Sequence, residues 1–553
     1  MATKTQTSKQ KTLLNNKINI SDYFANQEDM EWIFSVYEKF AEHVIVKGFS
    51  YGPLLYYYLR HELGKVKYYV DHLHNTNGSA VFANPDPVLD DIRTILRGKK
   101  PQQRMFSAKQ KYAFAAYMVA TYGVTRLSKL VSSRPKKIDN LFITSKRFYH
   151  DGVDTEFGSI SKNIPGSSHH LLTNVDFSLH GILEHYRHLF QYNNALFLEE
   201  EYSLSLIRSV FKDMQLFQAQ WNTVKKKSSF TKLFIYRNVN YAPVIIALID
   251  RLLSSSLIHL ISLKQLIAKF IEHRSVSNIL LSNEENELNK IFLLQKKEHQ
   301  RIIAFAHEQI YPGGVQTCPH NKKLQEPNTI RPLPDLKLVW NEYGKKTLVS
   351  HCNFPESIIR VAGNPRFDRM TSVLAAHQQK EKATAQQHIV YVSEDRVECF
   401  PFLLALAKKL PQALIHYKSR SPVDYRFACK QLSAAPSNLR VLPAETNLHE
   451  LLFTADVVIA TVSTVIVEAM FMNKNIVLFD PDIPLPAMPF IAKDLLTRTR
   501  TAAACAKECL KLQDSAYKKE QRERYRLFIE QYYAVHGAEQ RAAQEIRSYL
   551  SSS

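Results

Sequence analysis

From residue 138 onward the chain alternates short apolar runs with amphipathic stretches. The runs are Asn140–Thr144, Asn278–Ser282, Arg301–Phe305, Ile358–Ala362, His388–Val392, Ala413–His416, Leu439–Leu442, Val457–Ala460 and Asn475–Phe479. Most are rich in β-branched side chains, and polar residues bound each of them. A short continuous apolar run suits a strand covered on both faces, and helical patterns separate most of these runs. The alternation predicts an α/β protein with parallel sheets. The runs fall into two sets, 138–376 and 385–490, with the polar stretch HQQKEKATAQQ that begins at His377 as linker. The expected architecture is two Rossmann-like parallel-sheet domains facing a cleft.

The first part of the chain has a different texture. Residues 21–137 read as a helical extension. EDMEWIFSVYEKFAEHVI spaces its apolar positions by three and four. A second helix is expected over Gly52–Leu63, with Pro53 at its first turn, and a third through Ala108–Leu130. Asn75–Pro87 is a loop rich in Asn, Asp and Pro. Residues 1–20 form a basic tail expected to be disordered. Residues 491–553 read as helices packing back across the domains.

Composition narrows the function classes. A chain of 553 residues is too long for one ordinary core. Six cysteines without a CxxC pair exclude a disulfide scaffold and point to a reducing compartment. The best apolar stretch, Tyr241–Ile261, is cut by Asp250, Arg251 and a run of serines, whereas a spanning helix needs roughly 20 apolar residues. The N-terminal stretch MATKTQTSKQKTLLNNK carries no apolar signal core, so no leader is expected. A cytoplasmic protein is expected, with membrane contact only at the inner face of the plasma membrane. The formal charge of +20 calls for an anionic partner: nucleic acid, a phosphorylated substrate or an acidic membrane. No zinc finger, RNP-like motif or helix-turn-helix pattern supports nucleic acid. The basic runs Lys225–Lys227 and Arg134-Pro-Lys136-Lys137 are either solvated faces or rests for an anionic membrane. His169, His170, His180, His185 and His188 lack a carboxylate or Cys at metal-ligand spacing, so neither metal nor cofactor is expected.

The most informative stretch is Asn447–Asp482, NLHELLFTADVVIATVSTVIVEAMFMNKNIVLFDPD. It reads as helix, strand, polar turn, helix, strand. Asn447 is a helix N-cap candidate with Glu450 three residues on. The strand Val457–Ala460 ends at Thr461-Val-Ser463-Thr464, and ligands of open parallel sheets sit beyond such strand ends. Ser463 and Thr464 either cap the next helix or offer hydroxyl donors to a phosphate at its N-terminus. Glu468 lies one turn further in.

This pattern resembles the C-terminal domain of GT-B glycosyltransferases, especially those building bacterial surface carbohydrates and teichoic-acid-type polymers; the non-hydrolysing UDP-N-acetylglucosamine 2-epimerases share the fold. Other segments match in order. Val361-Ala-Gly363-Asn364-Pro365-Arg366-Phe367-Asp368 resembles the "GxPRxD" element. Leu333-Pro334-Asp335 to Trp340 resembles the strand before it. Ile279–Glu284 and Ile303–Gln309 resemble the strand pair leading to "QHG", and Tyr533–Leu550 resembles the closing helix. Two elements depart from the family: "QHG" is His307-Glu308-Gln309, and "KPHP" is Lys418-Ser419-Arg420-Ser421-Pro422.

The resemblance implies a metal-independent glycosyltransferase that moves a sugar or polyol phosphate from a nucleotide-activated donor to a surface-polysaccharide or lipopolysaccharide acceptor, which can be lipid-linked. Lys418, Arg420, Ser463, Thr464, Glu468, Gly363, Asn364 and Arg366 are the donor-side candidates. His307 is the candidate base, since an imidazole titrates near neutrality, and Glu308 is its rival or its orienting partner. Arg147, Asp151 and Glu284 are acceptor-side candidates, each with a bland reading as loop charge or helix cap. Two alternatives stand beside this: a UDP-sugar 2-epimerase-like enzyme, and an inactive GT-B binding or scaffold subunit, which the two altered motifs favour.

Overall fold

The computed structural model describes residues 17–18, 31–75, 81–82, 87–99, 116–123, 126, 135–144, 149–150, 153–154, 156–172, 195–284, 286–306, 309–310, 332–377, 386–392, 399–419, 422–461, 463–479, 488–533 and 536–552. The chain forms two compact units. One comprises 1–305, 315–337 and 349–358; the other comprises 306–314, 338–348 and 359–553.

The first main sheet has seven strands: β1 Lys137–Ile143, β2 Ser168–Leu172, β3 Ala195–Phe197, β4 Ser275–Leu281, β5 Arg301–Phe305, β6 Leu336–Val339 and β7 Ile359–Val361. Its order is β7-β6-β5-β4-β1-β2-β3. The pairs β4·β5, β4·β1, β1·β2 and β2·β3 are parallel. The second sheet has six: β8 His388–Val392, β9 Leu414–Lys418, β10 Leu439–Leu442, β11 Val457–Ala460, β12 Asn475–Phe479 and β13 Thr497–Thr499. Its order is β10-β9-β8-β11-β12-β13 and every pair is parallel. In both sheets the order reverses between the first strand and the fourth, the doubly wound pattern.

The helices used below are α1 Glu31–His43, α2 Gly52–Asn75, α3 Leu204–Val224, α4 Ala242–His273, α5 Glu287–Leu294, α6 Pro365–His377, α7 Cys399–Lys409, α8 Leu448–Thr454, α9 Val465–Phe471, α10 Ala502–Lys511, α11 Ser515–Tyr532 and α12 Ala538–Ser551. The second sheet shows why its strands are apolar throughout. Val458 and Ala460 of β11, with Ile476 and Leu478 of β12, pack among residues of α9 and α11. Their alternates Val457, Ile459, Val477 and Phe479 pack with α7 and α10. Both faces are covered, so neither can be polar.

In the first unit, side chains of α1 and α2 share one continuous core with α3, α4 and Ile138, Leu141 and Ile143 of β1. The apolar stretch at Tyr241–Ile261 becomes most of α4, whose apolar residues are largely buried in that core. Among the described residues no single helix is long and apolar enough to cross a membrane.

The sequence pattern does not announce β2, β3 or β13. Ser168, His169 and His170 of β2 are only half-buried, so the run SHHLL lacks an apolar start. β3 and β13 are three-residue edge strands. Only 116–123 and 126 of the helix expected over Ala108–Leu130, and little of the Asn75–Pro87 loop, lie within the described residues. His180, His185 and His188 lie outside them.

Candidate functional site

Ligands of such sheets sit beyond the carboxyl ends of the strands that flank the reversal. In the second sheet those strands are β8 and β11. After β11, the Ser463 hydroxyl accepts the Val465 N–H at 3.3 Å. Thr464 is the N-cap residue of α9, without a side-chain capping bond. Ser463 therefore performs the capping task, through a hydroxyl that stays half-buried.

Glu468, in the first turn of α9, is buried and gathers two partners. Its Oε2 lies 3.2 Å from His449 Nε2, and its Oε1 lies 4.0 Å from Arg366 Nη1. The three side chains come from α9, α8 and α6. His449 is held because the Asn447 carboxamide accepts the N–H groups of His449 and Glu450, the expected N-cap. A carboxylate shared by a guanidinium and an imidazole holds both in place.

Arg366 is delivered by the turn that precedes α6. Gly363 has φ +90°, a conformation only glycine adopts without strain. The Asn364 Oδ1 accepts the Arg366 N–H at 3.1 Å. That bond fixes the carboxamide's orientation and leaves Asn364 Nδ2 buried without a partner. A buried amide donor lacking an acceptor costs on the order of 1–3 kcal/mol, so it suits an oxygen brought by a ligand.

Asp368 has another task. Its Oδ2 accepts the Glu539 N–H at 2.8 Å, at the start of α12. Residue 537 is a left-handed glycine with no capping side chain, so Asp368 supplies the missing cap. Arg541 of the same helix donates to the Ala362 carbonyl at 3.2 Å. Asp368→Ala is expected to cost about 1 kcal/mol of urea-unfolding stability, and Asp368→Asn much less.

Lys418, at the end of β9, donates to the carbonyls of Ser419 at 2.7 Å and Ala444 at 2.8 Å. Its ammonium is thus largely engaged by the backbone. The neighbouring Ser419 hydroxyl is fully buried and has no partner. Arg420 lies outside the described residues.

In the first unit, Glu284 follows β4 and forms an ion pair with Lys337 of β6; both side chains are 1% exposed. Helix α5 is capped by Asn286, whose side chain accepts the Asn289 N–H at 2.8 Å. The Glu284 carboxylate is therefore a core group and not the cap. Arg147, Asp151, His307 and Glu308 lie outside the described residues.

The residues that flank His307 and Glu308 are described, and they are anchored. The Trp340 indole donates to the Ala306 carbonyl at 2.7 Å. The Gln309 Oε1 accepts from the Tyr533 hydroxyl at 2.7 Å and from Asn341 Nδ2 at 3.2 Å, while its Nε2 donates to the Ile310 carbonyl at 2.8 Å. Burial raises the Tyr533 phenol far above its ordinary range, so it remains a donor. Sequence reasoning assigned no role to Trp340, Asn341, Tyr533 or His449. The signal for Gln309 was its place in the altered triplet.

No family model matches the chain, and no curated protein matches it. Solved structures do. One is the wall teichoic acid polymerase TagF soaked with CDPG, at 14% identity, covering 81% of this chain and 99% of that one, with TM-score 0.43. A second is a UDP-GlcNAc 2-epimerase from Neisseria meningitidis bound to UDP-GlcNAc, at 12% identity, 74% and 99% coverage and TM-score 0.43. A third is a glycosyltransferase from Rickettsia africae, at 12% identity, 75% and 100% coverage and TM-score 0.41.

Proposed function

We propose that the chain is a GT-B glycosyltransferase that transfers a sugar or polyol phosphate from a nucleotide-activated donor to a surface-polysaccharide or lipopolysaccharide acceptor. The observation that carries this reading is the Arg366–Glu468–His449 cluster beside the β8/β11 reversal. Arg366 meets the diphosphate, with Lys418 and Arg420 adding positive charge, and Ser463 and Thr464 line the same strand end. Glu468 accepts hydroxyls of the nucleotide sugar. Asn364 Nδ2 gains the acceptor it lacks. Transfer needs stabilisation of the leaving phosphate and a base for the incoming hydroxyl. The cations supply the first. His307 supplies the second, oriented by Glu308, with Arg147 and Asp151 on the acceptor side. In this reading the protein works in the cytoplasm and needs no metal. The exposed Lys226 and Lys227 rest on an anionic membrane that holds a lipid-linked acceptor.

The test is thermal-shift binding with CMP, CDP, UDP, GDP and their sugar conjugates. A ligand at 100 times its dissociation constant stabilises by about 2.7 kcal/mol. One nucleotide is expected to shift the wild type, and Arg366→Ala is expected to weaken it by more than about tenfold, the effect of losing one charged hydrogen bond. The bonding of the Lys418 ammonium to two carbonyls favours a second reading, a nucleotide-free binding subunit. No shift with any nucleotide selects that reading.

A further inference from the structure

Helix α8 ends without a left-handed cap. Its C-cap, Ala455, is extended, with φ −71° and ψ 136°. A helix end leaves its last carbonyls to be satisfied from elsewhere, and here three side chains do so. The Lys474 ammonium bonds the Phe453 carbonyl. His388 Nδ1 lies 3.0 Å from the Thr454 carbonyl, and Asn475 Nδ2 donates to the Asp456 carbonyl at 3.0 Å. A carbonyl only accepts, so His388 donates from Nδ1, and its Nε2 accepts from His416 Nδ1 at 2.8 Å. Burial holds both imidazoles below their usual range, which preserves this arrangement.

The three holds differ in what they anchor. His388 and Asn475 belong to β8 and β12 and fix the helix end to the sheet. Lys474 fixes it to α9. Asn473, at φ +56°, closes α9 in a Schellman turn: its N–H bonds the Met470 carbonyl at 2.9 Å, and the Lys474 N–H bonds the Ala469 carbonyl at 2.9 Å. Lys474 is thus carried by the helix that carries Glu468. It is buried, and its ammonium lies 4.9 Å over the Phe453 ring. His449 and Phe453 are four residues apart, so they lie one above the other on one face of α8. That face meets α9 at two points, His449 on Glu468 at 3.2 Å and Phe453 beneath Lys474.

We infer that Lys474 is a positioning residue for donor binding: its grip on Phe453 sets how α8 sits on α9, and so where the His449 imidazole holds the Glu468 carboxylate. This rests on the reading in which Glu468 accepts hydroxyls of the nucleotide sugar, here its ribose. Hydrogen bonds are directional, so a carboxylate serves a hydroxyl only when it is turned the right way. With two contacts one turn apart, α8 cannot roll on α9 without breaking one of them. Removing the Lys474 contact frees that roll and leaves Glu468 in place. The consequence is a loss of selectivity for the sugar hydroxyls, while affinity for the rest of the nucleotide is kept.

Calorimetric titration tests this, with the nucleotide that shifts the wild type and its analogue lacking both ribose hydroxyls. Wild type is expected to prefer the hydroxylated form by about tenfold or more, the effect of one hydrogen bond to a charged group. Lys474→Met keeps the stem without the ammonium. It is expected to lose most of the preference, with affinity for the analogue unchanged. Lys474→Arg, which returns a charged donor, is expected to recover part of it. A Lys474→Met protein with the wild-type preference overturns the proposal. So does an equal loss for both ligands, the mark of a general loss of structure. Phe453→Leu is the milder variant, since it removes the ring and leaves the carbonyl bond. Hydrogen exchange of peptides covering 447–456 is expected to rise several-fold in Phe453→Leu and Lys474→Met, with α7 unchanged. Unchanged exchange there in both variants overturns the proposal. A wild type that binds no nucleotide, with exchange over 447–456 raised as expected in the variants, defeats the donor reading and the positioning role with it, and leaves only the tie between α8 and α9.

Discussion

Lys337→Met is expected to lower stability by about 3–5 kcal/mol, the cost of removing one member of a buried ion pair. Lys337 and Glu284 are each 1% exposed, so water cannot replace the lost ammonium. The Lys337 ammonium also lies 5.6 Å from the centre of the Phe354 ring, a cation–π contact that methionine replaces with a weak sulfur–aromatic one. Most of the loss is therefore assigned to the Glu284 carboxylate, which loses the Lys337 ammonium. The double variant Lys337→Met/Glu284→Leu is expected to recover most of the stability, because an apolar pair fits an apolar setting at least as well as an ion pair does. Urea unfolding followed by circular dichroism measures all three proteins. A single variant that costs under about 1 kcal/mol would resemble an exposed pair and would contradict the burial of this one. The same double variant addresses the acceptor-side role of Glu284. Stability restored with transfer lost assigns the carboxylate to the acceptor; stability and transfer both restored makes it a core group only.

What the sequence discloses follows from how locally each feature is encoded. Strands such as Val457–Ala460 and Asn475–Phe479 are covered on both faces, and that burial writes itself into consecutive apolar residues. Asn447 and its helix are legible for the same reason, since a cap and its N–H partners are neighbours in sequence. β2 escapes notice because its first three residues are half-buried and two are histidines. The shared core of α1, α2 and α4 escapes because an amphipathic helix records that it has a partner but not which one. At the candidate site, Glu468 stands out by its position after β11. His449 does not, because its relation to Glu468 spans 19 residues and two helices. Asp368 carries a resemblance to a functional element while its carboxylate caps a helix more than 170 residues away. Motifs report which residue types recur together; they do not divide them between ligand contact and scaffold.

Acidification is expected to move two single variants in opposite directions. The folded protein holds the Asp154 carboxyl at about 6, against 3.8 for the free group. Between those values the folded state keeps a proton that the unfolded chain has released, so this group's contribution to stability falls as pH rises through the window. The folded protein holds His170 at about 4, against 6.5. Between those values the unfolded chain takes a proton that the folded state refuses, so this contribution falls as pH drops. Each shift spans about two units, roughly 3 kcal/mol at 1.4 kcal/mol per unit. The two nearly cancel in the wild type: near pH 5 the pair carries one proton whether folded or unfolded, and folding moves it from imidazole to carboxyl. Charged groups in water thereby become a neutral pair in the interior, where ions are costly. His170→Gln leaves the Asp154 contribution alone, so stability is expected to rise by about 2 kcal/mol from pH 6.5 to 4.5 relative to wild type. Asp154→Asn leaves His170 alone, and stability is expected to fall by a similar amount over the same interval. Urea unfolding at the two pH values gives both slopes. Slopes of the same sign in the two variants would mean that Asp154 and His170 do not exchange a proton on folding.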